Sequence, residues 1–217
     1  MPNWFNTVTK KTDAILEKIK EHPFIIELMD GTLSKDVFHF YVNQDSLYLS
    51  EYKKILAQLS IKCSEMNDTQ FFLDSAIGII NVENELHQIF LKTDHFNNEP
   101  SPSCELYTDY MSRIVNNHTL EEGLAVVLPC FTIYKEIGDY ILANQTNKDN
   151  NPYQNWINTY AGEDFANAVL HAIEITNRYA EKAPEELLNK MDLAFIKASK
   201  LEWMFWESAY NKEAWKI

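Results

Sequence analysis

Nearly every segment of the chain repeats apolar residues at helical spacing, and no strand-like alternation lasts beyond a few positions. That periodicity predicts an all-α fold. Its punctuation falls at His22-Pro23, Asp30-Gly31, Asn97 to Ser103, Asn144 to Pro152, Ala161-Gly162 and Ala183-Pro184. These breaks divide the chain into about seven helices. No internal repeat or long flexible linker interrupts the pattern, so residues 1–217 are expected to form one helical domain. A chain of 217 residues with 46% apolar content can bury one sizeable core.

Several classes fall away on composition. The five glycines, Gly31, Gly78, Gly123, Gly138 and Gly162, are too dispersed to build a phosphate-cradling loop. The three cysteines, Cys63, Cys104 and Cys130, show no paired metal-ligand spacing, which argues against a disulfide framework or a zinc site. A reduced, cytoplasmic protein is the matching expectation. A net charge of −13, with no basic cluster beyond Lys10-Lys11 and Lys53-Lys54, argues against a nucleic-acid partner. No stretch reaches the roughly 18 to 20 apolar residues of a membrane span. The polar start, Met1 to Lys11, lacks the layout of a secretory signal.

Four helices carry the chemistry. They are expected from about Ser34 to Cys63, from near Asp68 and carrying Phe72 to Phe90, from Thr119 to about Leu142, and from Pro184 to Ala209. Thr119-Leu120-Glu121-Glu122 has the form of a capping box, and Pro184 suits a first helical position. On the first of these, positions 41, 45, 48 and 52 share a face: three tyrosines and Asp45. On the last, 198, 202, 205 and 209 read Ala, Glu, Phe, Ala, so Glu202 sits in an apolar stripe. A buried carboxylate is costly unless it neutralises or finds a partner. Two such acids on different helices point either to an internal polar pocket or to two structural hydrogen bonds. Glu83 and His87, at i, i+4 on the second helix, read more readily as a structural contact.

Cys130 follows Pro129 inside an otherwise continuous helical pattern. Pro129 cannot donate to the Ala125 carbonyl, so the helix should bend and leave a polar backbone group near the thiol. A thiol in that setting can be activated by a neighbouring acid–base group, although free cysteine more often packs as a small hydrophobe. Aromatic content is 13%, and a pocket for a flat ring needs such faces; Tyr48, Tyr107, Tyr134 and Tyr160 are candidates.

Taken in order, these runs resemble the TenA family, that is, thiaminase II or aminopyrimidine aminohydrolase. The matching pieces begin with His22-Pro23-Phe24, Asp30-Gly31-Thr32-Leu33 and Tyr41-x-x-Gln44-Asp45-x-x-Tyr48-Leu49. Glu83 with His87, Tyr107-Thr108-x-Tyr110-Met111, and Leu128-Pro129-Cys130-x-x-x-Tyr134 with Gly138 follow. Tyr153-x-x-Trp156-Ile157-x-x-Tyr160 and Glu202-x-x-Phe205-Trp206 complete the set.

The resemblance implies a heme-oxygenase-like helical bundle, assembled as a homotetramer, acting on aminopyrimidines or thiamine without metal or cofactor. It places the chain in the cysteine-containing branch. By position, Cys130 would be the nucleophile, Asp45 the substrate-orienting acid and Glu202 the acid–base group. Tyr48, Tyr107, Tyr134, Tyr160 and Phe205 would line the pocket. One departure is visible: the family commonly has an aromatic two residues after the cysteine, where Thr132 stands here.

Competing readings are thinner. A carboxylate-bridged di-metal oxidase would need Glu-x-x-His pairs, and the sequence has none. Heme binding would rest on His22 or His87 alone. A non-enzymatic pyrimidine-binding or regulatory protein is the alternative that fold alone leaves open.

Overall fold

The computed structural model describes residues 3–90 and 99–216, those of 81–90 by their backbone alone. Ten α-helices occur among the described residues, joined by loops and one short 3-10 turn. They are α1 (Trp4–Val8), α2 (Asp13–Lys20), α3 (Pro23–Asp30), α4 (Lys35–Lys62) and α5 (Met66–Phe90). After the residues outside the description come α6 (Pro102–Asn117), α7 (Leu120–Asn144), α8 (Gln154–Ala161), α9 (Glu163–Ala180) and α10 (Glu185–Asn211).

The count exceeds the expected seven because short helices form where the local pattern is weak. The polar start becomes α1, capped by the Asn3 side chain, since Trp4 and Phe5 both meet Phe195 edge-on at 5.8 and 6.2 Å. Tertiary packing there outweighs local polarity.

Helix ends follow local chemistry. His22 caps α3 by accepting the Phe24 N–H at its Nδ1, Pro23 opens the helix, and Gly31 ends it at φ 73°. Ser101 caps α6 through the Cys104 N–H, with Pro102 following. The Thr119–Glu122 capping box is present at the start of α7.

The long helices α4, α7 and α10 form the centre, with α6 against α4, α7 and α10, and α8 and α9 against α7. Trp206, Tyr41, Tyr107, Phe24 and Phe38 are fully buried between them. Helix α5 is different: its only extensive backbone packing among the described residues is against α4. Its first turn is also tied to α9 by Arg178, whose guanidinium donates to Asp68 at 2.5 Å. Between α5 and the α8–α9 side, a cavity opens.

Candidate active site

The face of α4 that carries Tyr41, Asp45, Tyr48 and Tyr52 turns inward, and all four side chains are buried. Three of them, Asp45, Tyr48 and Tyr52, line a cavity of about 940 Å³. Cys130 and Tyr134, one turn apart on α7, line it with Tyr160 from α8. Tyr134 and Tyr160 meet at 4.8 Å between ring centroids, a spacing typical of interacting aromatic pairs. The cavity therefore joins an acid, a thiol and several aromatic faces at one end.

Glu202, Tyr107 and Phe205 do not appear among the lining residues; they stand in the layer behind. Tyr48 bridges the two layers, with ring centroids 5.2 Å from Tyr107 and 5.6 Å from Phe205. Glu202 is buried and accepts a hydrogen bond from the Tyr107 hydroxyl at 2.8 Å. Burial raises its pKa to about 8, with Asp45 adding to the rise and the Tyr107 bond opposing it. At neutral pH Glu202 is thus predominantly a neutral acid.

Cys130 is partly exposed, and it faces the cavity. Its thiol is pushed well above the usual range, first by desolvation and then by the Glu202 charge, with Asp45 adding to it. The Tyr48 and Tyr52 hydroxyls beside it act the other way. The resting sulfur is accordingly a thiol, which a neighbouring acid–base group must activate.

Pro129 does lie inside α7, and the helix runs on to Asn144. The carbonyl that meets a side chain near the thiol is that of Val127, which accepts the Tyr52 hydroxyl at 2.8 Å. Thr132, where the resemblance leads one to expect an aromatic, donates its hydroxyl to the Leu128 carbonyl at 3.1 Å.

The sequence profile of the TENA/THI-4/PQQC family matches residues 9–212. The chain belongs to this family. The aminopyrimidine aminohydrolase of Bacillus subtilis (strain 168) is 34% identical over 200 residues, covering 89% of this chain and 84% of that protein. A solved structure of a TenA homologue from P. horikoshii OT3 superposes with a TM-score of 0.86 at 28% identity, covering 97% of this chain and 99% of that one. A heme oxygenase-like domain from Shewanella denitrificans OS217 superposes at 0.73 with 16% identity, covering 96% and 92%, which shows the fold alone. The chain has the all-α class that its periodicity predicts and the heme-oxygenase-like architecture that the family resemblance implies.

In this TENA/THI-4/PQQC member, the site also holds residues that the sequence did not single out. Tyr52 reads there only as one of a stripe of apolar positions. Phe71 of α5 and His171 of α9 line the cavity and face each other at 4.4 Å across its outer part. An aromatic and a histidine on amphipathic helices read equally well as core or surface, so their pattern carries no signal of a pocket. His22 is buried with Nδ1 taken by Phe24 N–H and Nε2 2.9 Å from Glu207, which leaves neither ring nitrogen for a heme iron. The side chains of Glu83 and His87 lie outside the described residues. No helix among those described is long and apolar enough to cross a membrane.

Proposed function

We propose that the chain is a hydrolase of aminopyrimidines, releasing 4-amino-5-hydroxymethyl-2-methylpyrimidine from the aminomethyl compound, with thiamine as a second substrate. The observation that carries this reading is the placement of Cys130 and Asp45 on one aromatic-lined cavity with the protonated Glu202 behind them. Membership of the family and the aminopyrimidine aminohydrolase relative support it.

The chemistry divides among these residues. Tyr48, Tyr134 and Tyr160 supply flat surfaces for a pyrimidine ring, and Asp45 accepts from its amino group, which fixes orientation. The Cys130 sulfur adds to an electron-poor ring carbon while Glu202, brought within reach as the ring seats deeply against Tyr48, gives its proton to a ring nitrogen. Aromaticity is lost, and the returning electron pair expels the group on the exocyclic methylene. For the aminomethyl substrate that group departs as ammonia, carrying the former thiol proton. Water then adds to the methylene, the ring nitrogen returns its proton to Glu202, and the sulfur leaves as a thiol with the proton from water. The net change is aminomethyl plus water to hydroxymethyl plus ammonia. General acid–base assistance of this kind contributes about 10²- to 10⁴-fold. Tyr107 holds the Glu202 carboxyl, and Phe205 backs Tyr48.

Two finer features belong to the same reading. A homotetramer is supported by an exposed apolar stripe on α5, comprising Met66, Leu73, Ile77 and Ile80. A cytoplasmic location is supported by three free cysteines.

The deciding experiment incubates wild type and Cys130→Ala with the aminomethyl compound and with thiamine, and follows products by chromatography. Wild type should release hydroxymethylpyrimidine, and the variant should lose at least about a thousandfold in rate. No turnover by wild type, or undiminished turnover by the variant, would sink the mechanism.

A further inference from the structure

Tyr52 occupies an unusual position beside the thiol. It lines the cavity, stacks on Tyr48 at 5.4 Å with the rings 19° apart, and donates its hydroxyl to the Val127 carbonyl at 2.8 Å. Val127 lies one turn before Cys130 on the same helix. A phenol has a single proton to give. In the resting protein that proton is committed to a backbone carbonyl, although the same hydroxyl also bears on the Cys130 sulfur.

Tyr48 is placed differently. Its hydroxyl meets the Met111 sulfur at 3.8 Å, a weak acceptor, so it has little to give up. The Val127 carbonyl, for its part, has two lone pairs and sits within an α-helix, so the departure of the Tyr52 proton need not orphan it. Turning that proton from Val127 to the sulfur takes only rotation about the phenolic C–O bond. No heavy atom has to move.

We propose that Tyr52 is a positioning residue for Cys130, its hydroxyl donating to the Val127 carbonyl while the sulfur is a thiol and turning onto the sulfur when it becomes a thiolate. The inference rests on Cys130 being the nucleophile. It assigns the two stacked tyrosines different work. Tyr48 offers a donor at all times, whereas Tyr52 offers one only when negative charge arrives, as it does each time sulfur forms or breaks its bond to the ring. Tyr52 makes and breaks no covalent bond itself.

Other titratable groups also face the thiol. They are Asp45 and Tyr48 from α4, Tyr107 from α6, Tyr160 from α8 and Glu202 from α10. Across the cavity, α5 presents Asp74 and α9 presents Glu163, Asp164 and His171. The test must therefore read the sulfur directly rather than activity alone.

The rate of iodoacetamide alkylation at Cys130 is followed against pH by peptide mass spectrometry, which separates it from Cys63 and Cys104. A hydrogen bond to a charged group is worth roughly tenfold in such an equilibrium. Tyr52→Phe should move the alkylation midpoint up by about one pH unit, lower kcat about tenfold and leave KM in place. Replacing Tyr52 by 3-fluorotyrosine keeps the ring and acidifies the hydroxyl, so the midpoint should move down. An unshifted midpoint in either protein, or a raised KM with kcat intact, overturns the assignment. If Cys130→Ala still turns over substrate, the nucleophile reading falls; if only the alkylation midpoints fail to move, the role of Tyr52 falls alone.

Discussion

Glu202 and Asp45 place two carboxyl groups close enough, behind and along one cavity wall, for Asp45 to raise the Glu202 pKa. For folding, this has a definite sign. The Glu202 pKa is about 8 in the folded chain against 4.5 for the ordinary group. The folded state therefore binds the proton more tightly, and stability from this group is fully present below pH 4.5 and lost progressively up to about pH 8. Glu202→Gln cannot ionise and escapes that loss. Its melting temperature should gain on wild type as pH rises from 5 to 8.5, while turnover falls by two orders of magnitude or more. A constant difference in melting temperature across that range would show that Glu202 does not hold its proton in the fold. The two acids were legible in the sequence because each interrupts an apolar stripe. Tyr52 was not, because a tyrosine in such a stripe is indistinguishable from core until its hydroxyl partner is seen.

At the scale of helices, the close approach of α7 and α8 sets the shape of the site. A Cβ at Gly138 would stand 2.7 Å from the Tyr160 carbonyl carbon and 2.9 Å from the Ala161 nitrogen. Both are backbone atoms, so the helices must separate to admit a methyl group. Gly138→Ala should cost about 1–3 kcal/mol of stability. It should also raise KM several-fold, because α8 carries Tyr160 away from Tyr134. Calorimetry with steady-state kinetics checks both, and an unchanged KM would detach the helix contact from the pocket. Long helices were readable to within a few residues: the expected Thr119–Leu142 and Pro184–Ala209 became Leu120–Asn144 and Glu185–Asn211. Strong periodicity and good caps account for that. The short α1 and the cavity mouth on α9 were not readable, since the first depends on Phe195 and the second on what α5 places opposite it.

At the scale of the molecule, α5 has two different faces. One lines the cavity through Phe71, Asp74 and Ile79, and the other exposes Met66, Leu73, Ile77 and Ile80. In the proposed tetramer the second face meets another copy. Ile77→Glu should then shift the assembly to smaller species in light scattering, and an unchanged mass would move the interface elsewhere.

The packing of α5 against α4 bears on how the buried end of the cavity exchanges its contents. Among the described residues, α5 is held by α4 along its backbone, by the Phe71 ring against Phe131 and His171, and by the Arg178 tether, a thinner hold than that of the central helices. Parting α5 leaves the joint between α4, α7 and α10 intact. A local excursion of α5, within the restraint of the proposed tetramer contact, would open the cavity while the positions of Asp45, Cys130 and Glu202 relative to one another stay fixed.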